Sequence, residues 1–184
     1  MNNIEVLGKK FGSHISLPWA SQLSSEERTI FLVYPKENES RLTAKIDLFR
    51  QAAESGGRKW RELSLVDSFG EWMASQDYAE DYYEFPEDLN SKLESDFTSF
   101  VARKISETLR LVDDTTVVGL TGVSSLFGFA HLSAVLAQLE VTVPGRLTVF
   151  FPGSHEKNLY RLLDGRESWD YLAFPITLHE SSTL

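Results

Sequence analysis

The chain has 184 residues, with 18 Lys and Arg against 27 Asp and Glu, a formal net charge of −9 at pH 7. Its length suits one domain with a full core, and its 42% apolar and 24% charged residues are an ordinary globular composition. With no cysteine, it excludes a disulfide framework, a thiolate zinc site, an iron–sulfur cluster and a cysteine nucleophile; its acidity disfavours a general nucleic-acid surface, whose affinity comes largely from Lys and Arg.

Residues 1–28 read as an N-terminal helical arm, with Pro18, Trp19 and Leu23 to pack it onto the body. The first ten residues carry Asn2, Asn3 and Glu5 and lack the apolar core of a signal peptide. The longest apolar runs fall short of the ~20 residues that a membrane span needs. The expectation is a cytoplasmic protein with no membrane partner.

An α/β domain is expected over residues 29–178, followed by a tail at 179–184. Thr29-Ile30-Phe31-Leu32-Val33-Tyr34, ended by Pro35, has the run of a strand buried on both faces of a parallel sheet. Asn38-Glu39-Ser40 opens a helical pattern of Leu42, Ile46, Phe49 and Ala53, which Gly56-Gly57 closes. Trp60 to Val66 is a second strand of partial alternation, so residues 29–66 form one βαβ unit. Residues 67–77 suit a short helix with Phe69, Trp72 and Met73 as its apolar stripe. Pro86, with Glu87 and Asp88 in the first turn, then opens the longest helix, which runs to Val112.

Thr115 to Gly122 is a third strand running into a turn. Ser124 to Leu139 is apolar nearly all round, which predicts a buried helix containing His131 as a hydrogen-bonded core residue. Arg146 to Phe151 is a fourth strand, stopped by Pro152-Gly153, and a polar piece with Leu159, Tyr160, Leu162 and Leu163 follows. Tyr171 to Ile176 is a fifth strand, placed at an edge by Pro175. The fold class is α/β: a single-domain, open, mostly parallel sheet of about five strands with helices on both faces. The layering is that of P-loop and Rossmann proteins without their nucleotide motifs.

Ligands of open α/β sheets bind beyond the carboxyl ends of the strands, which places any candidate chemistry at those ends. Gly122 and Gly128 are separated by five residues and followed by Phe129-Ala130, so the lysine and the metal-binding hydroxyl of a phosphate loop are missing. No Gly-x-Gly-x-x-Gly occurs. Ser124 and Ser125 do not sit in a Gly-x-Ser-x-Gly elbow, and Ser124 suits a helix N-cap. His155 stands in a polar turn after a strand. No histidine pair has metal-ligand spacing. These residues predict no catalytic, cofactor-binding or metal site. A strand-end ligand turn built from Thr121, Gly122, Ser124, Ser125, Gly153, Ser154 and His155 is the one alternative they leave.

Charge is uneven along the chain. Residues 77–96 hold eight of the 27 acids and one of the 18 bases, a net of −7, so the rest of the chain carries only −2. Tyr78, Tyr82, Tyr83 and Phe85 are interleaved with these acids, and the segment has no Gly for a calcium loop. Tyr78, Asp81, Tyr82, Tyr83, Glu84, Glu87 and Asp88 form a candidate partner surface, because Tyr is favoured at interfaces.

Val118-Gly119-Leu120-Thr121-Gly122-Val123, then Val149-Phe150-Phe151-Pro152-Gly153, Asn158 to Leu163, and Tyr171-Leu172-Ala173-Phe174-Pro175-Ile176 resemble the BrxB family of bacterial BREX phage-defence systems. BREX systems protect bacteria from phage while methylating host DNA. The resemblance covers most of residues 29–178, with its specific motifs in 115–176. It implies a non-enzymatic accessory subunit that contacts other BREX components, notably the alkaline-phosphatase-like PglZ protein. It carries over no catalytic residue and no cofactor. A homodimer is also open to such a subunit, and direct binding of nucleic acid is not expected. The alternative is a nucleotide- or phosphate-binding domain, with or without enzymatic activity, that uses the Thr121–Ser125 turn.

Overall fold

The structure is a computed structural model and describes residues 2–179. Helix α1 (Asn3–Ile15) opens with a reciprocal cap: the Glu5 N–H donates to the Asn2 side chain and the Asn2 N–H donates to the Glu5 carboxylate. Ile4, Leu7, Phe11 and Ile15 recur at helical spacing and are all buried. The N-terminal segment is therefore helical only to Ile15, and that helix forms part of a covering layer of the sheet. These four side chains anchor it, with Trp19 packed alongside and Pro18 exposed.

Strand β1 (Thr29–Tyr34) is buried throughout, yet its side chains alternate between two layers. Phe31 and Val33 join the cluster under one set of helices; Ile30, Leu32 and Tyr34 join α1 on the other face. This is why the run shows no polar face. After a 3-10 turn (Lys36–Asn38), the predicted single helix forms as α2 (Glu39–Ala44) and α3 (Ile46–Ser55). They part at Lys45, whose φ of −115° and ψ of 21° leave the helical region. Gly56-Gly57 ends α3 as expected, and the Arg58 N–H reaches back to the Ala53 carbonyl at 3.0 Å. Strand β2 (Lys59–Ser64) lies at the sheet edge and is exposed except for the half-buried Trp60 and Leu63.

Helix α4 (Ser68–Ala74) buries Trp72 and Met73. Helices α5 (Ala79–Glu84) and α6 (Pro86–Lys92) follow, and a π-turn (Leu93–Phe97) joins α6 to α7 (Thr98–Arg110). The long helix is thus continuous but widened in its middle. The buried Thr98 hydroxyl supports the widened turn by donating to the Leu93 carbonyl at 3.0 Å.

Strand β3 (Thr116–Thr121) forms as expected. The predicted helix over Ser124–Leu139 does not. A 3-10 turn (Val123–Leu126) leads into a loop, and only α8 (Leu132–Ala137) is α-helical. Ser124, Ser125 and Gly128 are weak helix formers, and the Ser125 hydroxyl binds carbonyls instead of leaving the backbone free to wind. Phe127 and Phe129 stand exposed in the loop, and so does His131, which lies 3.5 Å from the Glu167 carboxylate rather than in the core.

Strand β4 (Arg146–Glu156) runs through Pro152-Gly153 instead of stopping there. A proline lacks only a donor; the Pro152 carbonyl still accepts from the Leu163 N–H at 2.8 Å. At this point the strand exchanges its partner, from Tyr34 of β1 opposite Pro152 to Leu162 of β5 (Leu159–Leu162) opposite Gly153. The hairpin turns at Lys157 and Asn158, both at positive φ (50° and 65°). Strand β6 (Trp169–Asp170) pairs with β5, and β7 (Phe174–Ile176) returns to the parallel edge beside β1, where Pro175 was predicted to lie.

The parallel strands stand in the order β2-β3-β4-β1-β7, with β5 and β6 as an antiparallel extension. The fold is the expected α/β sheet, mostly parallel and covered by helices on both faces: α1, α2 and α3 on one, α4, α7 and α8 on the other. The predicted tail lies beyond the described residues except for His179. Among the described residues, no helix is long and apolar enough to cross a membrane.

Candidate functional site

The strand-end turn is built for packing. Thr121 ends β3 in the interior, and its carbonyl accepts from the Leu65 N–H at 2.9 Å. Gly122 has φ 73° and ψ 21°, a left-handed conformation that favours glycine, and a Cβ there would stand 2.7 Å from Val66 Cγ2. The Ser125 hydroxyl shares its one proton between the Gly122 carbonyl at 2.6 Å and the Leu65 carbonyl at 2.9 Å, which ties the ends of β2 and β3 together. Ser124 is not a side-chain cap: it lies inside the 3-10 turn, and its carbonyl accepts from the Phe127 N–H.

Gly153, Ser154 and His155 lie on the extension of β4, not in a turn, opposite Leu162, Arg161 and Tyr160 of β5. A Cβ on Gly153 would collide with the Arg161 carbonyl, so the close approach of the two strands requires glycine. His155 is half-buried against the Tyr160 ring, 4.5 Å between centroids, and burial pulls its pKa below the ordinary value. Its Nδ1 is buried without a hydrogen-bond partner. The Tyr160 hydroxyl donates to the Ala173 carbonyl at 3.1 Å. Lys36, just past β1, pairs with Asp164, just past β5.

This hairpin occupies the carboxyl end of the sheet beside β1, the region where a nucleotide would be sought in such a topology. The 3-10 turn packs against β4. What fills the space is the chain's own backbone and rings. Two surface hollows, of about 310 Å³ and 810 Å³, lie elsewhere: one between α4 and the start of α7, the other between α1 and α3. Among the described residues, no group of three or more His, Asp or Glu is placed to hold a metal ion.

The acidic–aromatic segment is the opposite kind of surface. Helices α5 and α6 bury no residue. Tyr78 is 69% exposed, Tyr83 74% and Phe85 49%. Asp81 and Glu84 on α5 and Glu87 and Asp88 in the first turn of α6 are also exposed. Tyr82 turns inward with Leu89 and packs on the edge of the core, which leaves Tyr78, Tyr83 and Phe85 to face outward. Phe85 was not among the candidate surface residues. Its position immediately before Pro86 was the available signal, since the residue before proline is held out of the helix. Its φ of −126° and ψ of 76° fit that restriction.

Comparison of the chain with protein-family models, curated proteins and solved structures finds no match.

Proposed function

We propose that this protein is a non-enzymatic adaptor that docks a basic protein partner through α5 and α6. The observation that carries this reading is the exposure of Tyr78, Tyr83 and Phe85 among carboxylates on two helices that bury nothing. Aromatic side chains supply contact area at low entropy cost, and surrounding charge steers association and sets its salt dependence. The motif resemblance to the BrxB family supplies the proposed setting, a BREX-type phage-defence complex with a PglZ-like protein as partner.

The test is co-purification with BREX components from a host that carries the system, at low and raised salt. Recovery of a PglZ-like protein with the parent chain is expected, along with its loss when Asp81, Glu84, Glu87 and Asp88 are changed to Lys. Recovery of no BREX component, or undiminished recovery with the charge-reversed chain, removes the proposal.

The alternative, a nucleotide site at Thr121–Ser125, draws less support. Its serine hydroxyl is committed to two carbonyls, Gly122 is wedged under Val66, and the β4–β5 hairpin stands in the adjoining space.

A further inference from the structure

At the amino ends of β1, β2 and β4, opposite the end discussed above, the chain gathers cations. Arg28 precedes β1, Arg58 precedes β2, and Arg146 opens β4. Two of them reach the Trp19 ring: the Arg58 guanidinium carbon is 3.8 Å from its ring centre and that of Arg146 is 4.6 Å away. Among the described residues, none of the three arginines has a carboxylate within 4.0 Å, in a chain whose net charge is −9.

Two of the three have a structural account. Arg28 donates to the carbonyls of Ser21, Leu23, Val143 and Pro144, and so clamps two loops together. Arg58 donates to the carbonyls of Ile15 and Leu17 and caps the end of α1. Arg146 has only its contact with the Trp19 ring beside a single hydrogen bond. The residue is only 7% exposed, and of its five N–H groups it commits one, to the adjacent Gly145 carbonyl at 2.9 Å. Its unbonded nitrogens are nevertheless not sealed from the surface. Burial pulls its pKa below the ordinary value, and Arg28 and Arg58 pull it further. Burial also lowers His14, and Arg146 adds to that effect. A nearly buried cation whose charged neighbours are cations is costly unless an anion joins it.

We propose that Arg146 and Arg58, seated on Trp19, bind a phosphate group. Two planar guanidinium forks with unused N–H groups match a tetrahedral dianion, which accepts from several directions at once; a carboxylate would satisfy one fork. Arg28 adds charge without being needed as a donor. The inference is independent of the docking surface on α5 and α6, because it concerns the other end of the sheet.

The experiment titrates the full chain with inorganic phosphate and, in parallel, with AMP. Both titrations are run at constant ionic strength with chloride as the reference, and are followed by calorimetry and by the unfolding temperature. Saturable binding with a rising unfolding temperature is expected for at least one of the two, since a ligand of the folded state stabilises it by mass action. A response to phosphate assigns recognition to the free ion; a response to AMP alone assigns it to the monoester. Arg146→Met should abolish the response while keeping the fold, because it removes a repelled cation. Arg146→Lys keeps the charge and loses the fork, and should weaken binding by roughly tenfold or more. No saturable response to either ligand, or an undiminished response in both Arg146→Met and Arg58→Met, overturns the proposal.

Discussion

Phe31 and Tyr83 are both aromatic, yet one is enclosed by other rings and the other stands in water. Phe31 is fully buried on β1, with ring centroids of Tyr160, Phe151 and Tyr171 at 4.5, 5.3 and 5.5 Å. It joins the parallel sheet to the β4–β5 hairpin and to the chain leading into β7. Tyr83 belongs to a helix pair that buries no residue. The sheet body consumes most of its aromatic residues in packing, whereas the segment of α5 and α6 displays Tyr78, Tyr83 and Phe85. Charge divides the same way, with −7 of the −9 confined to residues 77–96. The difference teaches that residue type says little here without burial: the same rings stabilise in one region and remain available for a partner in the other.

The largest expected effect lies in the body. Phe31→Ala should cost about 3–5 kcal/mol in chemical denaturation, as removal of a buried ring does. Tyr83→Ala should change stability by no more than about 0.5 kcal/mol. A comparable loss for Tyr83→Ala would place α5 and α6 in the core and end the contrast.

Gly122→Ala tests how far the strand-end turn belongs to the body. Left-handed backbone and the closeness of Val66 predict a loss of about 1–3 kcal/mol, read as a lower thermal midpoint. An unchanged midpoint would mean that the turn is not held by packing.

The smallest effect is on the alkaline limb. Burial first, then Glu26, pushes the Tyr171 phenol up to about 12 from its ordinary 10. The folded chain therefore holds this proton more tightly than the unfolded chain. The resulting stability is complete below pH 10 and is lost as pH rises from 10 to about 12. Burial raises the Tyr34 and Tyr160 phenols in the same direction, and at Tyr34 the hydrogen bond to Glu39 adds to it. A pH series of unfolding midpoints for Tyr171→Phe should show a shallower alkaline decline than the parent. A parallel decline would remove Tyr171 as a contributor.

Much of the layered fold could be read from local pattern. Thr29–Tyr34 was legible because a strand buried on both faces has no polar side, and Thr116–Thr121 because β-branched residues run into a Gly turn. Gly56-Gly57 was legible as a helix stop. The helix over Ser124–Leu139 was misread because apolarity on all sides also describes a loop that hides Leu126 and Leu132 while exposing Phe127 and Phe129. Pro152-Gly153 was misread as a stop because the rule concerns the missing N–H, and the new partner β5 needed only the carbonyl. The hairpin turn was invisible: Lys157-Asn158 lacks the glycine that usually marks positive φ.

The candidate site was legible in the same uneven way. The acidic residues and tyrosines of 77–96 could be located by composition, since unpaired charge on a short helix has nowhere to go but water. Which tyrosines face outward could not, and the structure turns Tyr82 inward. The cluster of Arg28, Arg58, Arg146 and Trp19 had no sequence signal, because its members are spread over 128 positions between Trp19 and Arg146 and meet only through the parallel register of the sheet.

From the order of residues alone came the elements, the α/β class and the place where charge accumulates, since each rests on neighbours within a few positions along the chain. Folding then supplied the strand order β2-β3-β4-β1-β7, the hairpin at the carboxyl end and the arginines at the amino end. These depend on pairings between distant segments, and pairing partners are selected by the shape and burial of whole faces rather than by any local pattern.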